Sequence, residues 1–120
     1  MSTAKDCYAL LQAIVTRRDP FCRRPGCHRP TSAGHHIFKR DRMAYAFDPK
    51  FCVGLCAHCH TSWAHGQPDE FIAWVIGWMG ESEYYDALRL SHSIVKHQDL
   101  NEIFQSLRNI LVNCPDNNKS

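Results

Sequence analysis

Cysteine and histidine residues are concentrated in three short segments of this chain. They read CRRPGC at residues 22–27, GHHI at residues 34–37 and LCAHCH at residues 55–60. Two pairs of cysteines, each in a short turn, are typical of a site where four thiolates hold one tetrahedral zinc ion. We therefore predict a structural Zn²⁺ whose ligands are Cys22, Cys27, Cys56 and Cys59.

Histidines next to these turns could form a second, chemically active site. His35 and His36 are adjacent, and His60 directly follows the last cysteine. Neighbouring residues of a strand point to opposite faces, so one of the pair can face a metal while the other approaches a substrate from another angle. A neutral imidazole can take a proton from water near pH 7. We expect His35 and His60 to supply nitrogen ligands to a divalent ion.

A competing cysteine pattern involves Cys52. Together with Cys56 and Cys59 it gives the spacing C-x(3)-C-x(2)-C, which is typical of radical iron–sulfur enzymes. Those enzymes need a much larger partial barrel, and this interpretation leaves Cys22 and Cys27 unexplained. We instead expect Cys52 to be a strand residue that faces the core.

Positive charge is concentrated around the same segments. The whole chain has a net charge of only +2, but residues 17–50 carry nine lysines and arginines against three aspartates. Such a patch is either a solvated basic face or a surface for a polyanion. Six of these residues are the candidates to contact the backbone of such a polyanion: Arg23, Arg24, Arg29, Lys39, Arg40 and Arg42.

Hydrophobic periodicity predicts an α+β, mostly helical fold in a single domain, residues 1–120. We expect an N-terminal helix within residues 1–20, a metal-binding core with two short strands (35–38 and 51–55) at 21–66, a helical extension at 67–113 and a tail at 114–120. The three tryptophans are expected in the core. The apolar stripe at residues 100–111 could pack on its own domain or on a second copy, which would make a homodimer.

Several classes of protein are disfavoured by the sequence. The N-terminus lacks a charged segment followed by an apolar run, and no apolar stretch approaches the roughly 20 residues that span a bilayer. We therefore predict a cytoplasmic protein with no membrane partner. Seven cysteines, an odd number, favour metal ligation over a disulfide framework.

The cysteine and histidine segments resemble the HNH endonuclease superfamily, which has a ββα-metal (treble-clef-like) core. Residues 21–111 are similar to zinc-containing phage NinG-like HNH proteins linked to recombination, in motifs such as FDP at 47–49 and LCAHCH at 55–60. The resemblance implies that His36 is the general base and that His35 and His60 belong to the catalytic metal site. The asparagine of the family's name is expected about five residues before Cys56, where this chain has Phe51.

That departure leaves the ligand set open. His65 is a candidate replacement ligand, and Asp48 is a weaker one. A site of imidazoles would favour Mn²⁺, Ni²⁺, Co²⁺ or Zn²⁺ over Mg²⁺, which prefers oxygen ligands.

Three functions follow as hypotheses. The first is a metal-dependent HNH endonuclease, phage or prophage encoded and linked to recombination, that hydrolyses DNA phosphodiester bonds in the host cytoplasm. The second is a zinc-binding DNA adaptor without catalytic activity, which Phe51 would favour. The third is a protein-interaction module that uses the tryptophan-rich and C-terminal helices.

Overall fold

A computed structural model describes residues 1–38, 45–92 and 99–113. The fold is α+β and mostly helical, with one small antiparallel sheet, as the sequence predicts. In chain order the elements are α1 (Ala4–Arg18), β1 (Ala33–His36), a 3₁₀ turn (Pro49–Phe51), β2 (Cys52–Leu55), α2 (Ala57–Cys59), a π-helical turn (His60–His65), α3 (Pro68–Met79), α4 (Glu81–Ser91) and α5 (Leu100–Asn113).

Helix α1 begins at a capping box. The Thr3 side chain accepts a hydrogen bond from the Asp6 backbone N–H, and the Asp6 carboxylate accepts one from the Thr3 N–H. These two bonds satisfy backbone donors that the first helical turn leaves without partners. The helix predicted at the N-terminus is therefore confirmed, with Asp19 as its C-cap.

Strand β1 pairs with β2 in a register that places Gly34 opposite Gly54. The strand predicted at residues 35–38 was placed two residues too late. The N–H of Ile37 still donates to the Phe51 carbonyl at 2.8 Å, but Phe51 belongs to the 3₁₀ turn rather than to β2. Regular pairing therefore stops at His36, and the next two residues turn into the core.

The larger core, between the sheet and helices α3 and α4, contains a group of packed aromatic side chains. Phe51 lies 4.1 Å from Tyr45 and 5.6 Å from Phe38, measured between ring centroids. Trp63 is buried, as predicted. The prediction is wrong for Trp78, which is 39% exposed because it lies in the last turn of α3 and stacks on the partly buried Trp74 instead of entering the core.

Helix α5 packs its apolar stripe on α1 of the same chain. Leu107 is buried with Cys7 and Ile14, whereas Ile110 of the same stripe is 44% exposed, so α1 covers only part of the stripe. A homodimer stays a prediction. Among the described residues, no helix is long and apolar enough to cross a membrane. The predicted tail lies outside the described residues.

Candidate functional site

The four predicted zinc ligands come together in one cluster, the cysteine tetrad: Cys22, Cys27, Cys56 and Cys59. Their sulfur atoms all lie within 4.8 Å of one another, and the Sγ atoms of Cys27 and Cys56 are 3.9 Å apart. Any two sulfurs of a regular zinc tetrahedron with bonds of about 2.3 Å are separated by about 3.8 Å. The tetrad therefore fits a structural metal site, and its donors are those that zinc prefers.

The first cysteine pair is held against the edge of β2. The Arg23 N–H donates to the Gly54 carbonyl at 3.0 Å, and the Cys22 N–H donates to the Arg29 carbonyl at 2.9 Å. Gly26 has a φ of 82°, a left-handed conformation that favours glycine in a tight turn. The sequence PG at residues 25–26 thus closes the turn that brings the two thiols to one side.

The second pair lies at the start of the short helix α2. Cys56 is its N-cap, and its sulfur accepts a hydrogen bond from the Cys59 backbone N–H at 3.4 Å. Burial opposes ionisation of Cys56, but this bond and those from the neighbouring thiols lower its pKa to about 7. Burial raises the pKa of Cys59 to about 12. Metal binding must therefore displace protons from the tetrad.

Cys52 does not belong to the tetrad. It is fully buried on β2 beside Leu11 and Val15, as predicted, and burial raises its pKa to about 12. The iron–sulfur-like spacing therefore arises because a core cysteine happens to lie four residues before the second cysteine pair.

A second group of potential ligands forms beside the tetrad. We call it the histidine cluster: His35, His60 and His65. Its ring centroids are 5.0, 4.9 and 4.8 Å apart, so the three rings form a nearly equilateral triangle. Their ligand nitrogens lie within 4.8 Å of one another. Three imidazoles in this arrangement could hold one divalent ion with positions left for water or substrate.

The π-helical turn explains how His65 joins His60. In an α-helix, residues three or four apart are neighbours, so residues five apart do not share a face. A π-helix is wound by hydrogen bonds between residues five apart, and such turns are frequent at functional sites. His60 and His65 are the first and last residues of this turn, and their Nε2 atoms are 3.2 Å apart.

Burial favours the neutral form of two of the three histidines in the cluster. Burial, followed by the neighbouring His60 and His65, lowers the pKa of His35 to about 4. Burial also lowers the pKa of His60. Neutral imidazoles are the form that binds metal, so the lowered pKa values keep His35 and His60 in their ligand state at neutral pH.

His36 lies outside the histidine cluster but lines the same cavity. This site cavity has a volume of about 660 Å³ and is bounded by α1, β1, the π-helical turn and α3. The His36 Nε2 atom is 3.0 Å from the Ala46 carbonyl oxygen. Because a carbonyl only accepts hydrogen bonds, Nε2 carries the proton and Nδ1 carries the basic lone pair of the neutral ring.

Two further positions considered for the metal site, Phe51 and Asp48, are not among the residues that line the cavity. Phe51, at the position expected for asparagine, has its side chain in the aromatic core with 6% exposure. The Asp48 carboxylate accepts a hydrogen bond from the Lys50 N–H as the N-cap of the 3₁₀ turn. The structure therefore favours His65 over Asp48 as the third ligand.

The predicted DNA-contacting arginines differ in their surroundings. The Arg23 guanidinium lies 3.5 Å from the Asp19 carboxylate and 5.4 Å from the centre of the Trp78 ring. Arg29 is exposed at the end of the first cysteine turn. The Arg23 side chain therefore contacts other parts of the fold, whereas the Arg29 side chain is exposed to solvent.

Arg24 also has neighbours that explain it structurally. Its guanidinium is 5.3 Å from the centre of the Trp63 ring and 4.0 Å from the Glu70 carboxylate. One of its nitrogens lies 3.9 Å from the Cys59 sulfur, where positive charge would offset a thiolate. Lys39, Arg40 and Arg42 lie outside the described residues.

Sequence reasoning missed two side chains of helix α1 that border the site. Tyr8 and Gln12 both line the site cavity. The Tyr8 ring lies 6.0 Å from the His36 ring in an edge-on arrangement. Their helical spacing matched an ordinary amphipathic helix, so no signal in the sequence pointed to the site.

Comparisons with protein-family models, with curated proteins and with solved structures find no match for this chain.

Proposed function

We propose that this protein is a metal-dependent endonuclease of the HNH type, with a ββα-metal core, that hydrolyses DNA phosphodiester bonds. The observation that carries the proposal is the placement of four imidazoles in one cavity. Three of them, the histidine cluster, have nitrogens within 4.8 Å of one another, and His36 lines the same cavity without joining them. A metal site and a separate base are the two components that hydrolysis by activated water requires.

His36 is the general base in this proposal. Its Nε2 lies 3.0 Å from the Ala46 carbonyl oxygen, a contact that orients the ring in the cavity where water would be activated. A backbone carbonyl on this ring nitrogen also stabilises the positive charge that the ring gains when it is protonated. His35 directly precedes His36 on strand β1, so one short backbone segment positions both the base and a metal ligand.

The histidine cluster would hold the divalent ion. When bound, the ion stabilises negative charge on the phosphate and on the departing oxygen. Three imidazole ligands favour Mn²⁺, Ni²⁺, Co²⁺ or Zn²⁺ over Mg²⁺. His35 and His60 are partly shielded from water, whereas His65 is exposed, so the cluster opens toward solvent on the side of His65.

DNA would be held mainly through its phosphates. Arg24 and Arg29 line a second cavity of about 430 Å³ beside the cysteine tetrad, together with His28 and His58. Contacts of this kind give affinity that falls with salt and carry little sequence information. An Arg29→Ala variant is expected to weaken binding evenly across DNA sequences and to lower the salt slope by about one.

Nicking of a supercoiled plasmid, with the zinc-loaded protein and each of Mn²⁺, Ni²⁺, Co²⁺, Zn²⁺ and Mg²⁺, tests the proposal. His36→Ala should lower the nicking rate by about 10²- to 10⁴-fold, the usual contribution of a general base. His92→Ala is the matched control, because His92 is exposed at the end of α4 and outside the cavity. Equal rates for His36→Ala and wild type would show that His36 is not the base.

A catalytically inactive DNA-binding adaptor is the second candidate. It is favoured by Phe51, whose buried ring offers no oxygen at the position where the family's asparagine is expected. This alternative predicts one zinc ion per chain, DNA binding, and no nicking by wild type with any of the five metals.

A further inference from the structure

The two strands meet helix α1 at a pair of glycines. Gly34 and Gly54 are opposite each other in the sheet, and both are buried. A Cβ atom on Gly34 would lie 3.0 Å from Val15 Cγ1, and one on Gly54 would lie 2.6 Å from Asp19 Cβ. The absence of side chains at this pair is what lets α1 approach the backbone of both strands.

At this pair the backbone polar groups bond away from the partner strand. The Gly54 N–H donates to the Asp19 carboxylate at 3.0 Å, and the Gly54 carbonyl accepts from the Arg23 N–H at 3.0 Å. On the other strand, the Gly34 N–H donates to Gln12 Oε1 at 2.7 Å, and the Gly34 carbonyl accepts from Gln12 Nε2 at 3.2 Å. At this glycine pair, the outward-facing backbone groups on both edges of the sheet therefore have hydrogen-bond partners.

The side-chain amide of Gln12 replaces a third strand at this point of β1. It accepts a hydrogen bond from the Gly34 N–H and donates one to the Gly34 carbonyl, as a residue of a neighbouring antiparallel strand would. A two-stranded sheet by itself is marginal in water. The edge that Gln12 covers is the one that leads directly into His35 and His36.

We propose that Gln12 is a positioning residue that holds β1 so that His35 meets His60 and His65; this inference rests on the proposed metal site. His60 and His65 lie on the turn that follows the second cysteine pair, and the His60 N–H donates to the Cys56 carbonyl at 2.9 Å, so this turn is joined to the tetrad and not to β1. His35 reaches them from β1, and its ring also packs edge-on against Phe71 with the centroids 5.2 Å apart. Its 5.0 Å ring separation from His60 therefore depends on how firmly β1 is placed.

Gln12→Met tests this role because methionine has a similar length and a similar helix propensity but forms neither bond to Gly34. Gln105→Met is the matched control, since Gln105 is exposed on α5 and its amide contacts only Asn109 in the described structure. The full-length, zinc-loaded chain is titrated with Ni²⁺ in the absence of DNA by calorimetry, with His35→Ala defining the signal from the histidine cluster. Zinc content and the urea midpoint are measured alongside.

Gln12→Met should weaken Ni²⁺ binding about tenfold, the lower end of the range for outer-sphere partners of metal ligands, with zinc content unchanged. Gln105→Met should bind Ni²⁺ like wild type. Unchanged Ni²⁺ affinity in Gln12→Met would overturn the inference even if nicking fell, because Gln12 would then act on DNA. Loss of zinc in step with Ni²⁺ would overturn it too, since Gln12 would then support the whole fold. If wild type and His35→Ala bound Ni²⁺ equally, or if neither bound it, the proposed metal site itself would be wrong.

Discussion

Replacing Gly54 by alanine should destabilise the protein more than any other glycine-to-alanine change in the sheet. The new Cβ would lie 2.6 Å from Asp19 Cβ and 3.1 Å from Thr31 Cγ2. Favourable carbon–carbon contacts lie at about 3.5–4.0 Å, so Asp19 must move by roughly 1 Å. Asp19 is 2% exposed and its carboxylate accepts the Gly54 N–H, so that movement also weakens a charged hydrogen bond.

The magnitude follows from these two effects. Overpacking costs about 1–3 kcal/mol, and a hydrogen bond to a charged group contributes about 1.5–3 kcal/mol, of which a displaced Asp19 loses only part. We expect Gly54→Ala to lower the free energy of unfolding by about 3 kcal/mol, which corresponds to a fall in Tm of about 12 °C for a chain of this size.

Two other glycines provide controls in the same chain. At Gly34 the nearest atom is Val15 Cγ1 at 3.0 Å, so Gly34→Ala should cost about 1 kcal/mol. At Gly77, inside α3, an added Cβ meets nothing within 4 Å. Gly77→Ala should therefore stabilise by about 1 kcal/mol through helix propensity.

Urea unfolding of the zinc-saturated variants, followed by tryptophan fluorescence, measures all three free energies. Zinc must be held at one concentration because bound metal adds to apparent stability. The expected order of stability is Gly77→Ala, wild type, Gly34→Ala and then Gly54→Ala. A Gly54→Ala variant as stable as wild type would refute the packing of α1 on the sheet described above.

Three further predictions concern the metal sites and the core. Cys56→Ser should lose its zinc and its cooperative unfolding, whereas Cys52→Ala should keep one zinc per chain; metal analysis and circular dichroism distinguish them. Phe51→Asn should cost about 3 kcal/mol or more without raising the nicking rate, since it places an amide in an aromatic core. Because burial lowers the pKa of His35 from 6.5 to about 4, the folded state binds fewer protons than the unfolded state, and stability should fall as the pH drops from about 6.5 to 4 when the histidine cluster holds no metal. The Tm difference between wild type and His35→Gln should shrink over that range, and a constant difference would contradict the shift.

Local structure was predictable where the residues that cause it are close in sequence. The capping box of α1 joins residues three apart, and the turn between Cys22 and Cys27 depends on its own proline and glycine. The same locality applies to the Cys56 cap of α2. Such features depend on backbone preferences within one turn, so they persist in almost any tertiary context.

The strand boundary and the third histidine were not predictable in this way. Strand β1 ends at His36 because its partner strand begins at Cys52 rather than at Phe51, which is a property of the pair and not of either segment. His65 joins the cluster because the turn after the tetrad is π-helical. Helical periodicity places residues five apart on different faces, so the sequence pattern could name His65 only as one candidate beside Asp48.

The sequence by itself determined the donors of this protein: four thiols in two short turns, a histidine pair on a strand, and the helices around them. Only the tertiary structure decided which histidines meet, that Phe51 is part of the core, and that the Gln12 side chain closes the edge of β1 across 22 positions of sequence. The reason is physical. Residue type and local spacing fix what a side chain can bind, whereas the packing of α1 on a pair of glycines fixes where the strand carrying His35 and His36 lies.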